Sequence, residues 1–230
     1  MEQIYTIPVN EAFEASAANP SCGCPLCALY RKLEENELEL ILGASLMEPD
    51  VRIQTNRTGF CKIHYDQMRT RKNRLGMALT MESHLDELKK DLTGGLAPAA
   101  KAAKRLEALE QTCYICSRIE VHFPKMVDTT VHLWNVDPAF PEKLKAQPYF
   151  CLPHYRLLLE VGKKKLPKKK YGDFAAACAA VTEAYLDTLR EDVSWFCKKF
   201  DYRYDAEPWK NSKDSVDRAI LFLRGNIHNP

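Results

Sequence analysis

The stretch CGCPLCALYRKL, residues 22–33, puts three cysteines within six positions and runs straight into helix-forming sequence. Cys24-Pro25-Leu26-Cys27 brings two sulfurs together if the chain turns or starts a helix there, and Pro25 suits either geometry. Two sulfurs make half of a closed four-ligand metal site. The complementary half stands at Gly59-Phe60-Cys61-Lys62-Ile63-His64, where Cys61 and His64 share one face of a helical turn.

The same order of residues recurs further along. Cys113-Tyr-Ile-Cys116 follows Cys24 and Cys27 at an offset of 89, and Tyr149-Phe150-Cys151-Leu-Pro-His154 follows Cys61 and His64 at an offset of 90. Pro49 matches Pro138, Phe60 matches Phe150 and Tyr65 matches Tyr155, with one residue inserted between Pro138 and Phe150. This register reads as an internal duplication. It predicts an all-α chain of two tandem helical units, each closed by a CxxC…CxxH metal site, at 1–95 (with an N-terminal arm) and 96–200. A C-terminal aromatic tail and short helix at 201–230 would pack on them.

The predicted ligands are Cys24, Cys27, Cys61 and His64 in one site and Cys113, Cys116, Cys151 and His154 in the other. Three thiolates and a neutral imidazole around divalent zinc carry a formal charge of about −1 and leave no place for water. Zinc, two per chain, is therefore the expected metal, in a structural role. Iron or an iron–sulfur cluster is the alternative, although mixed cysteine–histidine ligation is the less common pattern there. Neither CxxC is followed by the histidine of a haem attachment site, and neither sits in a βαβ setting like that of thioredoxin. Residues 28–42 read as a helix leading away from Cys27, with 49–56 available for the return. That favours a hairpin closed by metal within each copy; closure across copies is the alternative.

Other segments are less specific. Ile4-Tyr5-Thr6-Ile7 alternates weakly and reads as an extended arm. Leu75, Ala78, Met81, Leu85, Leu88 and Leu92 recur at three- and four-residue steps, which predicts a helix with that face buried, ended at Thr93-Gly94-Gly95 and linked through Ala97-Pro98. Gly172-Asp173 reads as the cap of a second long helix, burying Phe174, Cys178, Val181, Tyr185, Leu189, Val193, Phe196 and Phe200. A short helix is expected around Val216, Ile220 and Leu223. Cys178 and Cys197 read as core thiols, His84 as a residue on a polar helix face, and Cys22 as an extra thiol the repeat leaves unexplained. The tail residues Tyr202, Arg203, Trp209 and Lys213 either dock the tail or line a site for an anion.

Bulk properties narrow the function classes. The chain has 230 residues, is 46% hydrophobic and 28% charged, and carries a net charge of +2, so it is not built throughout as a polyanion binder. Lys163–Lys170 is the one strong basic cluster, read as a solvated loop, with contact to nucleic acid as the functional alternative. No apolar run suggests a membrane span, and the N-terminus lacks the basic and apolar regions of a signal peptide. Nine cysteines without an export signal point to ligands in a reducing cytoplasm rather than disulfides.

The opening IYTIPVNEAFE, the unit CPLC…MEPDVRI…GFCxxH, NRLGMAL, and the tail FDYR…EPW…SKD resemble an uncharacterised bacterial family of domain-of-unknown-function type. The resemblance covers nearly the whole chain and implies a small intracellular bacterial protein with paired cysteine and cysteine–histidine motifs. It brings no known activity. The leading functional reading is a non-enzymatic, zinc-stabilised helical protein that presents a surface to a protein partner. The sequence lacks a nucleophile elbow, a phosphate-cradling glycine loop and an open three-ligand zinc pattern. A metal-dependent or thiol-redox enzyme, or a metal-handling protein, using a labile cysteine-rich site with Cys22 as a participant, is the competing class.

Overall fold

A computed structural model describes residues 3–93 and 99–228 of the chain. Among them there is no strand, as the helical periodicities predict. The helices are α1 (Thr6–Ala18), α2 (Pro25–Leu42), α3 (Pro49–Thr58), α4 (Lys62–Thr70), α5 (Arg74–Thr93), α6 (Ala99–Glu110), α7 (Tyr114–Val136), α8 (Phe140–Lys145), α9 (Leu152–Lys165), α10 (Lys168–Lys198) and α11 (Ser215–Arg224). The link expected at 94–98 lies outside the described residues.

Two compact units emerge, divided otherwise than at residues 95 and 200. One comprises Met1–Tyr30 with Pro124–Ile227, the other Arg31–Phe123 with His228–Pro230. Two of the three boundaries fall inside α2 and α7, and the third follows α11. The first unit is built on aromatic rings: Phe13, Phe140 and Phe150 are fully buried, with Phe13 lying 5.1 Å from Phe140 and 6.3 Å from Phe150 between ring centroids. Helix α10 packs on α8, α9 and α11 there and buries Phe174, Cys178 and Val181. In the second unit Leu38, Ile41, Met68, Ile115 and Ile119 are buried, and α3, α5 and α6 pack on one another.

Several expectations need correction. The Ile4–Ile7 segment is not an extended arm: a 3-10 turn over Gln3–Tyr5 leads directly into α1. Helix α10 starts at Lys168 rather than at Gly172-Asp173, because Leu166-Pro167 already breaks α9 and Pro167 cannot donate a backbone hydrogen bond to prolong it. The lysine run is therefore no loop. Lys163, Lys164 and Lys165 form the last turn of α9, where they complement its carbonyl end, and Lys168–Lys170 form the first turn of α10. Lys165 pairs with Asp128 at 2.9 Å and Lys170 donates to the Asn135 carbonyl.

Burial departs from the periodicity in three places. Helix α5 has its apolar stripe outward and Gly76, Thr80 and His84 inward, so His84 is buried rather than on a free polar face. In α10 the expected face holds as far as Leu189, but Cys197 is exposed and Phe200 is 75% exposed. In α11 Phe222 and Ser215 are buried, whereas Val216, Ile220 and Leu223 are outward.

Candidate metal centres

Each ligand pair is placed by the start of a helix. Cys24 immediately precedes α2 and Cys27 lies in its first turn; Cys113 and Cys116 stand in the same relation to α7. Cys61 is the N-cap of α4 and Cys151 that of α9, with His64 and His154 three positions on. A proline at the first position of α2 fixes the backbone there and needs no hydrogen-bond partner for its nitrogen.

The pairs join across the repeated motifs. Cys24, Cys27, Cys151 and His154 form one cluster, and Cys61, His64, Cys113 and Cys116 the other; in each, the candidate ligand atoms all lie within 4.8 Å of one another and could hold a metal ion. Pairing within a copy, as the hairpin reading expected, is not what the structure has. The two CxxC pairs are chemically alike, so residue spacing alone does not choose between them, and the segment expected as a simple return is itself the helix α3.

In the first unit all four ligands are buried. The Sγ atoms of Cys27 and Cys151 are 3.6 Å apart, and His154 Nδ1 lies 3.6, 3.4 and 3.2 Å from the sulfurs of Cys24, Cys27 and Cys151. The backbone N–H of Asn226 donates to Cys27 Sγ at 3.2 Å. Gly225, at φ +83, makes this close pass possible: a Cβ on it would lie 3.4 Å from Cys151 Sγ in a conformation side chains rarely adopt. Burial opposes ionisation of Cys24 most strongly, yet hydrogen bonds from Cys151, Cys27 and His154 outweigh it and draw this thiol well down. Hydrogen bonds with Cys24 and Cys27, together with burial, push the Cys151 thiol up.

In the second unit His64 and Cys113 are buried while Cys61 and Cys116 are half-exposed. His64 Nδ1 lies 3.2 Å from Cys61, 3.2 Å from Cys113 and 3.5 Å from Cys116, and the Cys61 and Cys116 sulfurs are 4.0 Å apart. Two hydrogen bonds sew the ligand segments together. Tyr114 N–H donates to the Gly59 carbonyl at 2.9 Å, and the Thr112 hydroxyl donates to the Thr58 carbonyl at 2.7 Å. The Cys116 hydrogen bond, working against burial and joined by that of His64, pulls Cys113 down to about 3. The hydrogen bond with Cys113, then burial and the Cys113 charge, in turn push the Cys116 thiol up.

With Nδ1 turned to the sulfurs, His64 points Nε2 at Glu34 Oε1, 3.1 Å away. Glu34 is buried and also accepts from Gln67 Nε2 at 3.0 Å and from His228 Nδ1 at 2.7 Å. Burial works against its ionisation, but the hydrogen bonds from His228, His64 and Gln67 prevail and hold the carboxyl at about 2. Such a carboxylate behind a ligating imidazole fixes its tautomer and orientation. Glu34, His64 and His228 are also mutually close enough to hold an ion, but the hydrogen bonds already account for their arrangement. Sequence reading did not name Glu34 and could give His228 no partner, because nothing in their spacing distinguishes them from surface residues.

The remaining candidates are not part of these clusters. Cys22 is half-exposed in a short turn, with its N–H bonded to the Asn19 carbonyl. The four tail candidates have different surroundings. Arg203 folds back on Asp201, Tyr202 is 87% exposed, Trp209 packs on Phe196 and Phe200, and Lys213 is exposed. The tail is instead tied down by Lys199, which is buried and donates to the carbonyls of Tyr204, Asp205 and Glu207 at 2.7, 2.9 and 2.6 Å.

No helix among the described residues is long and apolar enough to cross a membrane. Comparison with curated proteins and with solved structures found no match. The paired CxxC and FCxxH motifs, now seen as two four-residue clusters, stand in a sequence matched over residues 1–230 by one family model; the chain belongs to the family of unknown function DUF6062.

Proposed function

We propose that the chain is a zinc-stabilised helical protein, non-enzymatic, whose two closed Cys3His sites hold the fold that presents a surface to a protein partner. The observation that carries this reading is the size of the clusters. With Zn–S about 2.3 Å and Zn–N about 2.05 Å, a tetrahedron has S···S edges of about 3.8 Å and S···N edges of about 3.6 Å. The sulfur pairs at 3.6 and 4.0 Å bracket the first value, and the sulfur–nitrogen distances of 3.2–3.6 Å reach up to the second. Four ligands so close leave no position for water or substrate on the ion, which supports a structural role. A polynuclear iron–sulfur cluster interposes its own sulfides between the protein thiolates and needs a wider cage than 4.8 Å.

Elemental analysis of protein purified without oxygen tests this. About two zinc per chain, retained after mild oxidant, is the expected result; coloured protein with stoichiometric iron overturns it. Cys61→Ser should lose one ion and destabilise the fold by several kcal/mol, because binding a structural ion contributes folding free energy directly. A variant that loses only an activity and melts like the parent would place the site in function instead.

A second reading draws on the half-exposed Cys61 and Cys116: the ion of that cluster exchanges with external chelators, as in a metal-handling or redox-sensing protein. It predicts that one zinc per chain leaves well before the other.

A further inference from the structure

Helix α5 is packed by its polar face. Arg52 Nη1 donates to the Leu79 carbonyl at 2.8 Å and to Ser83 Oγ at 3.1 Å, Ser83 donates to Asn56, and His84 Nδ1 bonds the Asn56 carbonyl at 2.9 Å. The opposite face carries Leu75, Met81, Leu85 and Leu92, which are 71, 38, 60 and 41% exposed, together with exposed Ala78 and half-buried Leu88. Ala78, Met81, Leu85, Leu88 and Leu92 succeed one another by three, four, three and four residues, the seam of a two-stranded coiled coil. Such a seam is complementary to another helix.

We propose that this face is a homodimer interface, in which α5 of a second copy lies antiparallel along α5 of the first. The charges beside the seam select both occupant and direction. In the antiparallel register that stacks Leu85 on Leu88 of the second copy and Met81 on its Leu92, the exposed Glu82 falls opposite Lys89 of the second copy. Two-fold symmetry repeats each contact, which gives four apolar layers flanked by two ion pairs. A parallel pair would set Glu82 beside Met77 and Lys89 beside His84, with no opposite charges met. The other flank of α5 faces α3 and α6, where Asp91 is paired with Arg105, so the interface is one-sided. None of these residues belongs to either metal cluster, and the proposal stands whichever ion they bind.

The test is sedimentation velocity of the full chain as purified, with metal content measured on the same samples. The parent is expected to be a dimer at micromolar concentration, and Leu85→Glu a monomer with unchanged metal and helix content. Glu82→Lys and Lys89→Glu, both at exposed positions, should each raise the dimer dissociation constant about tenfold. The double swap should restore it to within about threefold. A parent that stays monomeric at about 100 μM overturns the proposal, as does a dimer indifferent to Leu85→Glu and to the charge swaps. Wrong metal content in a well-behaved dimer would sink only the zinc reading.

Discussion

Glu34 is the residue whose replacement best separates holding a metal from folding. It supports His64 without ligating, so Glu34→Gln should weaken metal binding at the cluster of Cys61, His64, Cys113 and Cys116 by about 10–100-fold. The cluster of Cys24, Cys27, Cys151 and His154 should be untouched. Competition with a chromogenic chelator reads both sites at once, and equal loss at both would contradict the hydrogen-bonding role. Cys22→Ser should leave the metal content unchanged, since Cys22 is not among the clustered ligands. At this scale the eight ligand-type residues were legible because three-residue spacing at a helix start has one geometric outcome. Glu34 was not, standing in the acidic run Glu34-Glu35-Asn36-Glu37. Only the folded chain shows Glu35 paired with Arg71, Glu37 with Arg118 and Glu34 buried behind a ligand.

Elements followed their periodicity in type but not always in orientation. The 3–4 spacing in α5 makes a helix in any setting; which side is buried depends on what α3 offers, and α3 offers Arg52 and Asn56. Polar pairing with these leaves the leucines outward, so the stripe that reads as core is instead surface. The second long helix kept its expected face through Leu189. Beyond that point the aromatic tail takes over the packing and Lys199 closes it. Lys199→Ala removes a buried ammonium from three carbonyls at once and should destabilise the tail by about 3 kcal/mol. Limited proteolysis should then cut within 201–214 before anywhere else, whereas an unchanged cleavage pattern would mean that aromatic packing alone holds the tail.

For the whole molecule, crosswise pairing makes a direct prediction about metal stoichiometry. Cys24→Ser with Cys151→Ser removes two ligands from one cluster and should cost one ion per chain, no more than either change alone. Cys24→Ser with Cys61→Ser removes one ligand from each and should cost both ions. Pairing within each copy predicts the reverse, so counting ions by mass spectrometry under native conditions distinguishes the two. The sequence by itself determined that the chain is helical, where its sulfurs and imidazoles start helices, and that they come in two sets of four. These are local matters, decided by residue spacing and by proline and glycine placement. Only the tertiary structure decided which pair meets which, because one CxxC is chemically as good a partner for either CxxH as the other. The choice falls to the folded chain as a whole, which gathers Cys24 and Cys27 with Cys151 and His154, and Cys61 and His64 with Cys113 and Cys116.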